Sequence, residues 1–168
     1  MSLAALSLAL VLSAPGPSQA AGAQRVRWER GIDEAVKAAR QAQKPIMVDF
    51  WAEWCSWCRR LDLTTYRDPL VVRLLGDFVA LKVNTEGTPR EQAFAARYDV
   101  TSLPTIAFFS PEGRPLLRLT GFQGPGQFPS TLEVARALGT RVIGWESALQ
   151  KNPEDLSLIH ISEPTRPY

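Results

Sequence analysis

Apolar residues recur at two different periods along the chain, and each change of period marks a change of element. Ile32, Ala35, Val36 and Ala39 fall at helical spacing with charged residues between them, which predicts an amphipathic helix to about Gln43, where Lys44-Pro45 breaks it. Ile46–Trp51 is a mostly apolar run of strand length, the pattern of a strand buried on both faces. Helical spacing returns from about Ser56 through Leu61 and resumes after Asp68-Pro69 through Val72 and Leu75. Residues 78–83 read as a strand and residues 90–98 as a helix. Thr105–Phe109 and residues 116–119 read as two strands joined by Ser110-Pro111-Glu112-Gly113, a turn in which proline presets φ and glycine tolerates positive φ. So short a link makes that pair antiparallel. Residues 25–28 read as a short first strand, residues 130–138 as a helix, and residues 141–151 as helical in pattern again.

The predicted order is β-α-β-α-β-α-β-β-α. Strands alternating with helices imply an α/β fold with a central sheet covered by helices on both faces, and the terminal hairpin makes that sheet mixed.

Composition adds little. Of 168 residues 45% are hydrophobic and 21% charged, ordinary for one globular domain, and a formal net charge of +2 points to neither nucleic acid nor an anionic membrane surface. The chain ends say more. Residues 3–12 form an apolar run followed by small residues, the pattern of a secretory signal, with cleavage expected after Ala20 or Ala23. Residues 1–23 are therefore expected to be a signal peptide, and the mature protein to be exported, periplasmic or extracellular. Residues 156–168 are unlike what precedes them and read as an adapter-derived scar, which removes His160, the chain's single histidine, from the candidate catalytic residues. Residues 24–139 form the expected domain. Residues 140–155 are expected to be a C-terminal helix, resembling the opening of a tetratricopeptide-type array, with a helix packed on the domain as the alternative.

The chemistry concentrates in Val48-Asp49-Phe50-Trp51-Ala52-Glu53-Trp54-Cys55-Ser56-Trp57-Cys58. A C-x-x-C placed where a buried strand hands over to a helix puts the first thiol at the helix N-terminus, where unpaired backbone N–H groups and the helix dipole favour a thiolate. Thiolate is the nucleophilic form, so Cys55 is the expected reactive and exposed thiol and Cys58, inside the first turn, the shielded one. A purely structural disulfide is a poor alternative, because so short a loop constrains little of the unfolded chain. Zinc is another, but it needs two more ligands that the two cysteines cannot supply. No metal or organic cofactor is expected.

That segment resembles the active-site stretch of the thioredoxin superfamily, and other landmarks agree with it. Leu103-Pro104-Thr105 resembles the family's cis-proline loop, Asp49 its buried carboxylate beneath the resolving cysteine, Lys82 the lysine near that carboxylate, and Gly121 the glycine after the last strand. Arg59-Arg60-Leu61-Asp62 and Tyr66-Arg67-Asp68-Pro69, with the signal sequence, bring the likeness closer to exported domains of the DsbD C-terminal type. The active-site dipeptide Ser56-Trp57 departs from the Gly-Pro of thioredoxin.

The resemblance implies a thioredoxin fold and a thiol–disulfide oxidoreductase, working in the reducing direction. Cys55 and Cys58 would be its catalytic thiols, Asp49 the proton acceptor for Cys58 and Lys82 its electrostatic partner. Leu103 and Pro104 would present the substrate, while Trp54 and Trp57 would offer it an apolar docking surface. Disulfide-containing proteins are the expected substrates, a separate redox protein the electron donor or acceptor, and the chain is expected to be a monomer. The alternative is a protein-binding adaptor on the same fold, without turnover.

Overall fold

A computed structural model describes residues 25–29 and 31–153, so the expected signal peptide and scar lie outside the described residues. The elements run β1 (Trp28–Glu29), α1 (Ile32–Ala42), β2 (Ile46–Trp51), α2 (Ser56–Leu63), a 3₁₀ turn (Thr65–Arg67), α3 (Pro69–Leu75), β3 (Val79–Asn84), α4 (Pro89–Arg97), β4 (Thr105–Phe109), β5 (Pro115–Thr120) and α5 (Phe128–Lys151). The expected α/β class with a mixed sheet is what forms. The sheet has the order β1-β3-β2-β4-β5, with β1, β3 and β2 mutually parallel and β4 antiparallel to both β2 and β5.

Local chemistry explains the breaks. Asp68 caps α3 by accepting from the N–H groups of Leu70 and Val71, at 2.9 and 3.1 Å, and Pro69 occupies the first turn, where its missing N–H is not needed. Thr88 and Glu91 form a reciprocal capping box at the start of α4. The β4–β5 turn closes with Gly113 at φ +91°, a conformation that glycine adopts without a Cβ clash.

Two apolar layers cover the sheet. Ile46, Val48 and Phe50 of β2 face α1 and α4, packing with Ala35, Ala39, Leu81, Val83 and Ala95. Met47 faces the other way, into a layer with Leu61, Tyr66, Val71, Ile106, Phe128 and Leu132. Strand alternation puts Asp49 on this second face, beneath α2.

The helical stretches read as separate at residues 130–138 and 141–151 are one continuous helix, α5. Gly139 lies inside it, and the glycine is a place of close approach: a Cβ there would stand 3.0 Å from Pro45 Cβ and Cγ. Contact with the start of β2 outweighs glycine's poor helix propensity of about 1 kcal/mol.

Candidate active site

Cys55 sits at the hinge between the end of β2 and the start of α2. A turn through Ala52, whose carbonyl accepts from Cys55 N–H at 3.0 Å, delivers it to the N-cap position. Its sulfur accepts a hydrogen bond from Cys58 N–H at 3.1 Å, so one of the helix's unpaired donors points at the thiol. The two cysteines form a disulfide, and the site is therefore seen in its oxidised state. In this state Cys55 is as covered as Cys58, at 3% and 1% exposure. The expected contrast in exposure between the two is absent in this state.

Sheet register then builds the second part of the site. Asp49 on β2 stands opposite Lys82 on β3, both on the face beneath α2. Lys82 Nζ donates to Asp49 Oδ2 at 2.9 Å and lies 2.7 Å from Asp62 Oδ1, one helical turn beyond Cys58. Three rings surround the ammonium: Trp28 at 4.9 Å, Trp51 at 5.6 Å and Tyr66 at 5.6 Å.

The Asp49 side chain is fully buried, with the Tyr66 hydroxyl as its hydrogen-bonding neighbour besides Lys82. Burial raises the Asp49 pKa above its ordinary value; the charge and hydrogen bond of Lys82 oppose this without cancelling it. Burial would lower Lys82, but Asp49 and Asp62 outweigh it, and the ammonium holds its proton more tightly than usual. The Tyr66 hydroxyl is pushed well up by burial and by both carboxylates, and it titrates outside any working range. The arrangement is a buried carboxyl that holds its proton more tightly than usual, paired with a cation that stays charged.

Trp54 and Trp57 flank the disulfide and remain open to solvent, at 64% and 54% exposure. Trp54 Nε1 donates to Glu86 Oε1 at 2.6 Å, while the Trp57 ring lies against Phe122, centroids 5.4 Å apart. The Leu103–Pro104 peptide bond is cis. Pro104 is buried, and its carbonyl accepts from Gly121 N–H at 2.8 Å. Leu103 is half-buried against the layer under α1 and α4. Because Thr105 pairs with Phe50, this loop lies at the end of the sheet from which β2 runs on to the dithiol.

The structure joins Cys55 to Cys58 at the start of α2 and ties Lys82 to Asp49 on β2 and to Asp62 on that same helix, with Trp54 and Trp57 exposed beside the cysteines. It adds residues that sequence reasoning passed over. Asp62 carried a signal, since position i+4 from Cys58 shares its helix face. Tyr66 and Trp28 carried none, because they reach Lys82 from a 3₁₀ turn and from the strand beside β3.

Comparison with known proteins agrees with the fold. Residues 32–136 match the family described as a thioredoxin-like domain. The thiol:disulfide interchange protein DsbD of Salmonella typhi is 39% identical over 105 residues, 60% of this chain and 18% of that protein. DsbD of Ralstonia nicotianae is 34% identical over 119 residues, 70% of this chain and 19% of that protein. The chain thus spans less than a fifth of the length of these curated relatives. Among solved structures, a thioredoxin from Thermus thermophilus superposes with a TM-score of 0.62 at 31% identity, over 68% of this chain and 90% of that one. The oxidised C-terminal domain of Neisseria meningitidis DsbD superposes with a TM-score of 0.52 at 27% identity, over 61% of this chain and 90% of that one.

Proposed function

The chain belongs to the thioredoxin-like domain family, and we propose that it is a thiol–disulfide oxidoreductase that reduces protein disulfides outside the cytoplasm. The observation that carries this reading is the Cys55–Cys58 disulfide at the N-terminus of α2, above a buried Asp49 paired with Lys82.

In the reduced protein the Cys55 thiolate attacks one sulfur of a substrate disulfide. The substrate S–S bond breaks, a mixed disulfide forms, and the first substrate thiolate leaves and takes a proton from solvent. Cys58 then gives its proton to the Asp49 carboxylate and attacks Cys55 Sγ. The Cys55–substrate bond breaks, the second substrate sulfur leaves as a thiolate that takes a proton from solvent, and the intramolecular disulfide seen here is restored. Two electrons pass to the substrate, and a separate redox protein must return them. Lys82 keeps Asp49 in reach of its ionised form, the Leu103-Pro104 loop presents the substrate backbone, and Trp54 and Trp57 receive its side chains.

The likeness to thioredoxin favours the reducing direction, since thioredoxin sits near about −270 mV, far below strong oxidants at about −120 mV. Export rests on the apolar run and small residues of the first 23 positions. Among the described residues no helix is long and apolar enough to cross a membrane. The test has two readings from one preparation. Catalysed reduction of insulin with dithiothreitol as donor is expected, and an adaptor without turnover would give none. Equilibration against glutathione should place the dithiol near thioredoxin; a potential near the strong oxidants would reverse the proposed direction.

A further inference from the structure

The rim of the disulfide is asymmetric in charge. On the Trp54 side stands a carboxylate, Glu86, already engaged with the indole N–H at 2.6 Å. On the Trp57 side stands Arg60, whose guanidinium carbon lies 6.0 Å from the Trp57 ring centroid and 5.9 Å from that of Phe122. Those two rings lean on each other at 38°, so the cation rests on a wall already assembled before any partner arrives. Neighbouring charges are spoken for. Arg59 donates to the Glu53 carbonyl at 2.7 Å, and Asp62, the acid nearest in sequence, is held by Lys82 at 2.7 Å. Among the described residues Arg60 has no ion-pair partner, which leaves the N–H fork of a guanidinium open to receive a carboxylate.

Arg60 lies five residues along α2 from Cys55, an axial rise of about 7.5 Å and about 140° round the helix, so the cation stands to one side of the disulfide. Its seat on the Trp57–Phe122 wall keeps it within a few residues' reach of an extended segment whose cysteine meets Cys55. We propose that Arg60, mounted on the Trp57–Phe122 wall, selects protein disulfides in extended segments that carry an aspartate or glutamate within a few residues of the attacked cysteine. This rests on the redox reading above and names its preferred substrate. The step is the first exchange already described: Cys55 attacks, the substrate disulfide opens, and the carboxylate holds the segment in place while it does.

The probe is a set of three symmetric peptide disulfide dimers, each strand with one cysteine flanked on both sides by three residues of Glu, of Gln or of Lys. A fluorophore and a quencher on the two strands report reduction by pre-reduced protein. The wild type should reduce the Glu peptide about fivefold faster per unit concentration than the Lys peptide at low salt, with the Gln peptide between them and the spread shrinking in high salt. Arg60→Gln should flatten the series and Arg60→Glu should invert it. Arg73→Glu, the same charge change on α3, should keep the wild-type order. Equal Glu-to-Lys ratios in wild type and Arg60→Glu overturn the inference while leaving the redox reading intact, as does an inversion by Arg73→Glu. Failure of the wild type to reduce any of the three overturns the redox reading, and this inference falls with it.

Discussion

Two buried carboxyl groups in this molecule share the same physics and differ in what lies beside them. Asp49 sits in the middle of the sheet against Lys82; Glu146 sits on the C-terminal half of α5, its Oε1 2.7 Å from Arg114 Nε at the β4–β5 corner. Burial is the largest influence on both, and both hold their protons more tightly than an ordinary carboxyl, Glu146 up to about 7 with the hydrogen bond and charge of Glu112 adding to the rise. Only Asp49 stands under a helix that begins with a dithiol. A raised pKa therefore marks a desolvated acid, and a nucleophile in the same layer is what makes the acid useful.

The comparison breaks most visibly at Asp49. Asp49→Asn removes the proton acceptor for Cys58 and should slow insulin reduction about a hundredfold at pH 7. The same substitution should raise the unfolding midpoint. A raised folded-state pKa means that the protonated acid favours folding, an advantage present at low pH and lost as pH rises through that pKa. Asparagine keeps the neutral form at every pH, so the gap in midpoint should widen from pH 5 to pH 8. A variant that is slower but no more stable at pH 8 would mean that the Lys82 pair more than offsets burial.

Lys82 sharpens the point. Its charge and hydrogen bond hold Asp49 down against burial, so Lys82→Met should move the rising limb of the rate–pH profile to higher pH and leave the maximal rate less affected. An unshifted profile would detach the cation from the chemistry. The smallest effect belongs to Glu146. Glu146→Gln should change the insulin rate less than about twofold, since the residue belongs to the packing of α5 on the hairpin. Its signature is in stability alone: wild-type Glu146 favours the fold while protonated, and that contribution fades as pH rises through about 7. The variant should therefore gain on the wild type in melting temperature between pH 6 and pH 8. A rate loss like that of Asp49→Asn would erase the distinction between the two acids.

How far the sequence reaches differs between these regions for a physical reason. β2 could be read because it is central and buried on both faces, so its apolar run has strand length and ends in proline on one side and the C-x-x-C on the other. The dithiol could be read because helix capping is local. Asp49 stood out as the charge in an otherwise apolar strand, but its pairing with Lys82 was nameable only by resemblance, since their meeting is a matter of register between β2 and β3, 33 residues apart in the chain. Asp62, Tyr66 and Trp28 close on Lys82 from three other elements, a convergence no local pattern encodes. The unity of α5 was hidden for a similar reason: what holds Gly139 helical is Pro45, nearly a hundred residues earlier.

The division of labour between the two thiols is open to a trapping experiment. Cys58→Ala, reduced and then offered an excess of oxidised insulin without donor, should accumulate a mixed disulfide that mass spectrometry locates on Cys55. Cys55→Ala, treated alike, should accumulate little or none. A stable adduct on Cys58 in the Cys55→Ala protein, equal to or exceeding that of the other variant, would contradict the account.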